Sequence, residues 1–272
     1  MRHGIFLAPF DELADPRLLA DLAARAEDRG WDGVFLWDHT IYRDPVVAVL
    51  DPWIAMAAMA TRTSRIRLGP LVTPLARRRP WKVARETAAL DLLSDGRLTL
   101  GVGLGGDTSG ELSGFGEETD DRARAALLDE ALAVLEVCWS GEPTGHEGEH
   151  FRVPPRAFLP RPVQRPRIPI WLAARYPNRR PVRRAARFDG LFPIDLPGPE
   201  GLEELLDVVR EERGSLDGFD VVAEREPGAD PEPWVQAGAT WVLVDFGRTP
   251  SLAHVEATID AGPWKVPGTF HP

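Results

Sequence analysis

An acid and an imidazole stand side by side at Asp38 and His39, directly behind the apolar run of residues 33–37. A histidine at the carboxyl end of a buried strand can exchange a proton with a ligand or hydrogen-bond to it, and a neighbouring carboxylate can position the ring. The same pair serves equally as a loop staple, and the residue types alone leave both open. Glycine is the second candidate. Gly101, Gly103, Gly105 and Gly106 crowd the end of the run 97–102, where missing side chains let backbone approach a ligand. Their spacing is not the G-x-G-x-x-G that opens a dinucleotide-binding helix, so no Rossmann NAD site is expected. Ala173, Ala174 and Arg175, followed by Asn178, Arg179 and Arg180, bring guanidinium groups to the start of a helix, a combination suited to phosphate. Gly190 opens the next strand of that neighbourhood. Arg77, Arg78 and Arg79 face an anionic ligand or water with equal ease.

The elements that must carry these residues alternate along the chain. Apolar, β-prone runs fall at 3–8, 33–37, 65–72, 97–102, 168–173, 190–194, 219–223 and 240–244. Helical spacing falls between them at 16–29, 52–63, 79–93, 119–139, 179–188, 200–212, 231–237 and 251–261. Asp51 and Ser251 are placed to cap helices, and Gly30 and Gly141 to end them. About eight strand–helix units with short connections predict a parallel (β/α)8 TIM barrel, as one domain over 1–272. An open doubly wound sheet uses fewer units. Residues 142–167, rich in Pro, His and Arg, break the rhythm as a short excursion after the fourth β/α unit.

Composition narrows the function. A net charge of −10 on 272 residues argues against broad attraction to nucleic acid or an anionic membrane. No 18-residue apolar run and no secretory leader are expected to leave the protein cytoplasmic. Cys138 is the one cysteine; it falls inside a helical apolar run, as a packing residue in a reducing compartment. Lys82 and Lys265 are the only lysines, so an arginine here is not by itself a phosphate ligand. Six histidines without a His-x-His after the first strand speak against a metal-dependent barrel hydrolase, and no metal ligand set is expected.

Segments from one end of the chain to the other resemble the bacterial luciferase-like family of flavin- or coenzyme F420-dependent oxidoreductases. They are HGIFL from His3, AEDRGWDG from Ala26, Trp37-Asp38-His39, the stretch 65–106, RAARFDG from Arg184, and AGATW from Ala237. The resemblance implies a TIM barrel holding FMN or coenzyme F420 at the carboxyl ends of its strands. It implies monooxygenation or hydride transfer on a small organic substrate, often with a separate flavin or F420 reductase and often as a homodimer. It gives His39 a catalytic role and Asp38 a positioning role. It implies a bulge with a cis peptide at Leu71–Val72 beneath the ring, with the Thr73 hydroxyl bonded to it. Gly103, Gly105 and Gly106 are expected beside the cofactor, and Ala173, Ala174, Arg175 and Gly190 near its phosphate. The segment after the seventh strand is shorter than in many relatives, which keeps a non-catalytic flavin-binding protein as the alternative.

Overall fold

The computed structural model describes residues 1–264. Residues 265–272 of the expected domain, Lys265 among them, lie outside the described residues.

The strands are β1 (Arg2–Leu7), β2 (Gly33–Leu36), β3 (Arg67–Pro70, resumed at Thr73–Pro74), β4 (Leu100–Gly103), β5 (Ile170–Arg175), β6 (Gly190–Ile194), β7 (Asp220–Arg225) and β8 (Trp241–Asp245). The helices between and after them are α1 (Pro16–Asp28), α2 (Pro52–Arg62), α3 (Pro80–Leu93), α4 (Asp121–Ser140), α5 (Arg179–Ala185), α6 (Pro199–Arg213), α7 (Glu232–Gln236) and α8 (Leu252–Ala261). The barrel strands pair in parallel in the order β3-β2-β1-β8-β7-β6-β5-β4. A Leu68–Leu98 bridge and the Thr73–Val102 register join β4 back to β3 and close the barrel. The excursion between α4 and β5 carries a small antiparallel hairpin, His146–Glu147 with Arg152–Val153.

Local chemistry sets the helix ends. Asp15 accepts the Arg17 and Leu18 amides, Asp51 that of Ile54, Asp120 those of Arg122 and Ala123, and Ser251 that of His254. Proline stands in the first turn of α1, α2, α3, α6 and α7, where its missing N–H costs nothing. Two expected strands are shorter than their apolar runs. The run from Arg97 yields β4 only from Leu100; before it the backbone meets β3 at a single bridge, Leu68 bonding the Arg97 carbonyl and the Thr99 amide, while the Arg97 guanidinium binds the carbonyls of Ala60, Thr63, Ile66 and Ser94. The run 65–72 is interrupted after Pro70. The pairing of β3 with β4 slips by one residue between Leu68–Leu98 and Thr73–Val102, so Leu71 and Val72 both face inward.

The lumen is packed in layers, four side chains at a time from alternate strands. Following the register round the barrel gives their order. Near the base Trp241 shares a layer with Gly33, Thr99 and Gly190. Above it Trp171 sits with Gly4, Gly69 and Val222. One indole fills the space that glycines leave. A Cβ on Gly190 would lie 2.4 Å from Trp171 Cδ1, and one on Gly33 would lie 2.9 Å from Trp241 Cζ3. Phe35, Phe192 and Leu243 come next, so the base is sealed by aromatics in edge-on and tilted contact, Trp171 to Trp241 at 5.4 Å and Phe35 to Trp171 at 5.2 Å between ring centres. Two layers remain towards the mouth: Phe6, Leu71, Ala173 and Glu224, then Trp37, Gly103, Ile194 and Asp245. There Trp37, Ala173, Ile194, Glu224 and Asp245 are only partly buried. The lumen is a cup, closed below and open at the carboxyl ends of the strands.

Candidate active site

Strand β2 delivers Trp37 to the lumen and Asp38 and His39 to the loop above it. Asp38, whose side chain is 1% exposed, anchors the mouth. Its Oδ2 accepts the Thr73 hydroxyl at 2.7 Å and the Trp53 indole N–H at 3.3 Å. Arg78 donates to both of its oxygens at 2.7 and 2.8 Å, and Arg77 to its Oδ1 and backbone carbonyl at 3.2 and 3.0 Å. Arg77 then bridges to Glu111 Oε1 at 2.6 Å. Glu111 also accepts the Thr40 amide at 2.6 Å and lies 2.6 Å from His39 Nδ1. One connected network therefore runs from Thr73 through Asp38, Arg77 and Glu111 to His39. Satisfied networks of buried polar groups fix geometry.

Burial pushes the Glu111 carboxyl up, but the His39 hydrogen bond and charge, the Thr40 amide and Arg77 outweigh it and hold it below the ordinary carboxylate value. An ionised Glu111 only accepts, so His39 Nδ1 donates to it. In the neutral ring the proton-accepting lone pair is thereby on Nε2, and in the cationic ring that nitrogen carries the exchangeable proton. The His39 side chain is 27% exposed and its ring is set among Tyr42, Trp37 and Phe10, at 4.8, 5.8 and 5.9 Å between centres. An imidazole so held, open on one side, can take or give a proton at Nε2.

The expected cofactor residues divide into those at the mouth and those elsewhere. The Leu71–Val72 peptide is cis; Leu71 packs on Gly101 and Val72 on Gly103. The Thr73 hydroxyl is committed to Asp38 and the residue is fully buried, so it supports the acid instead of facing the lumen. Gly103 lines the mouth, Gly105 adopts φ 74° against Pro74, and a Cβ on Gly106 would meet nothing within 4 Å. Ala173 faces the lumen, whereas Ala174 points into the layer between barrel and helices. Arg175 is at the rim, its exposed guanidinium on Asp195. The expected placing of Gly190 is corrected. It begins β6, at the opposite end of the barrel from His39, where its missing side chain admits Trp171. The first-turn amide of Arg180 in α5 is taken by Asn178.

Three acids were not singled out from the sequence. Glu111 arrives on the loop that follows the glycines, whose fold is set by Asp107 accepting the Leu112 and Ser113 amides. A carboxylate in a Gly- and Ser-rich loop beyond a barrel strand was the available signal. Glu224 and Asp245 follow the lumen-facing Val222 and Leu243 at a spacing of two along β7 and β8, and an acid at such an inward position marks a lumen group. Among the described residues no group of three or more His, Cys, Asp or Glu is arranged to hold a metal ion, and no helix is long and apolar enough to cross a membrane.

Comparisons with known proteins agree with this architecture. An F420-dependent glucose-6-phosphate dehydrogenase from Gordonia bronchialis is 29% identical over 262 residues, covering 89% of this chain and 73% of that protein. The structure of an F420-dependent secondary alcohol dehydrogenase in complex with an F420-acetone adduct superposes with a TM-score of 0.79 at 19% identity, covering 95% of this chain and 96% of that one. The oxygenating constituent of 3,6-diketocamphane monooxygenase from the CAM plasmid of Pseudomonas putida, in complex with FMN, superposes with a TM-score of 0.69 at 19% identity, covering 83% and 67%. The luciferase-like monooxygenase family pattern matches residues 1–235, and the chain belongs to that family.

Proposed function

We propose that this protein is an oxidoreductase that uses coenzyme F420 or FMN at the barrel mouth to act on a small organic substrate. The observation that carries the reading is the His39–Glu111 pair, with Nε2 unpaired among the described residues, at the same mouth as the Leu71–Val72 wall and the Gly103–Gly106 loop. The residues present suit a flat conjugated ring. Leu71, Val72 and Ala173 give an apolar wall, and a Cβ on Gly103 would crowd it, at 3.0 Å from Val72 Cγ2 and 3.3 Å from Ala173 Cβ. Gly105 and Gly106 keep the adjoining edge to backbone. Arg175 at the rim can receive a phosphate carried on the ring's side chain.

When bound, the cofactor would accept hydride from a substrate that is oxidised or supply it in the reverse direction or, as reduced FMN, would supply the electrons that activate oxygen. The protein's own residues do the rest. Leu71, Val72, Phe6 and Phe192 exclude water from the face of the ring. Asp38, clamped by Arg77, Arg78 and Thr73, fixes the loop that presents His39. Glu111 sets the tautomer of His39, and Nε2 takes the proton from a substrate hydroxyl as it is oxidised, or returns it in the reverse direction. The F420 form is favoured by the name of the Gordonia relative. Turnover would then be hydride transfer without oxygen, fed where needed by a separate reductase. The single buried Cys138 suits a cytoplasmic setting, and a homodimer is the proposed assembly.

Fluorescence titration with F420 and with FMN tests the reading. Binding of one of them is the expected result; binding of neither removes it. Binding without turnover on any alcohol or ketone supplied with the matching redox form supports a non-catalytic flavin-binding protein instead.

A further inference from the structure

The lumen wall facing Leu71 carries a carboxyl group that the His39 network does not use. Glu224 lies on β7, four strands round the barrel from β3, in the layer of Leu71, Phe6 and Ala173. The neighbouring strands offer it Phe192 and Ile194 from β6, and Leu243 and Asp245 from β8. No hydrogen bond or cation among the described residues acts on it; the one charge that does is Asp245. A carboxyl group in an apolar layer without a partner leaves its donor and acceptor positions to whatever enters the cup.

From this geometry we infer that Glu224 selects the substrate: its carboxyl group hydrogen-bonds the hydroxyl or carbonyl oxygen of an uncharged organic molecule held between it and the Leu71–Val72 wall, and with Asp245 it turns away phosphate and carboxylate groups. The inference rests on the oxidoreductase reading for what happens to that molecule, but not for what the cup admits.

The electrostatics agree. Burial, with the charge of Asp245 added, pushes the Glu224 carboxyl to about 8, so it keeps its proton at neutral pH and can donate. Asp245 is also raised, by burial and by Glu226 on the rim above, against the Gly247 and Phe246 amides. Cations offer an anion little there. Arg77 and Arg78 are bound to Asp38 and Glu111, and Arg175 stands at the exposed rim, outside the layer of Glu224. Arg248, in the turn beyond β8, is not among the charges acting on either carboxyl. A phosphate pushed towards Leu71 would give up its water for an apolar layer in which no cation acts and would hold both acids in their protonated forms, a desolvation cost that discriminates against the wrong ligand.

Three probes of one shape test this: cyclohexanol, cyclohexanecarboxylate and cyclohexylamine as its ammonium ion, with binding read by saturation-transfer NMR on the full chain. The wild type is expected to bind cyclohexanol and to exclude the carboxylate. Glu224→Gln, which keeps a donor and an acceptor, retains cyclohexanol binding. Glu224→Leu loses about fivefold or more, the worth of one hydrogen bond to a buried group. As pH rises through 8, wild-type affinity for cyclohexanone, whose oxygen only accepts, falls as Glu224 loses its proton, while that of Glu224→Gln stays level. Carboxylate binding equal to cyclohexanol, a preference for the ammonium ion at neutral pH, an unaffected Glu224→Leu, or no binding of cyclohexanol overturns the inference. Cofactor titration of the wild type is scored separately. Cofactor binding without this discrimination removes only the selectivity, and discrimination without cofactor binding removes only the proposed function.

Discussion

Replacing Glu224 by glutamine should change how stability depends on pH, and the structure gives the size of the change. The carboxyl group titrates at 4.5 ordinarily and at about 8 in the barrel. Between those values the folded protein holds a proton that the unfolded chain has released, so stability falls as pH rises through the window. Below 4.5 both states are protonated and there is no penalty; above 8 the penalty is complete. A gap of about 3.5 units at about 1.36 kcal/mol per unit sets a ceiling of about 5 kcal/mol. Water reaching the open cup reduces it, and about 2–3 kcal/mol is expected. Glutamine fills the same volume and does not titrate. The stability of Glu224→Gln relative to wild type should therefore climb by about 2–3 kcal/mol from pH 4.5 to pH 8 and level off beyond. Equilibrium urea denaturation of both proteins across that range measures it, and other groups largely cancel in the difference. Parallel curves across the window would show that Glu224 ionises freely, and the argument from its apolar layer would fail.

Asp38→Ala leaves Arg78 and the Thr73 hydroxyl without their acceptor while Arg77 keeps Glu111, so a loss of about 3 kcal/mol is expected in urea melts; a loss below about 1 kcal/mol, as for a surface pair, would contradict a buried anchor. His39→Ala should lower turnover by about a hundredfold or more while cofactor affinity, read by fluorescence, changes little; unchanged turnover would leave the ring a purely structural part. Glu111, held below its ordinary 4.5, lends stability that is present above pH 4.5 and lost as pH falls through its folded value, so Glu111→Gln should flatten the acid limb of the stability curve, and an unchanged limb counts against the ionised pair. Gly190→Ala drives a methyl to 2.4 Å from Trp171 and 2.8 Å from the Asp220 carbonyl, which should cost about 1–3 kcal/mol and disturb the near-ultraviolet circular dichroism; Gly106→Ala, in open space, serves as the silent control.

The barrel was legible because its signal is periodic: buried parallel strands are short apolar runs, and Asp51, Gly141 and Ser251 punctuate the helices where chemistry requires. The mouth was only partly legible. Asp38 and His39 announced themselves by type and by their strand end. Glu111 did not, because its meaning comes from a contact with His39, 72 residues away along the sequence. Gly190 was misjudged for a related reason. Glycine signals close approach, but the sequence does not say whether a ligand or a tryptophan approaches. Thr73 faced the same ambiguity of partner, and its hydroxyl donates to Asp38.

The aromatic seal at the base has a kinetic consequence. Trp241, Trp171 and Phe35, packed together at the base, leave the cup one entrance among the described residues, so cofactor and substrate share a single doorway. Whichever lies deeper must enter first and leave last. Steady-state kinetics should then follow a compulsory order, with the outer ligand able to trap the inner one and slow turnover when in excess.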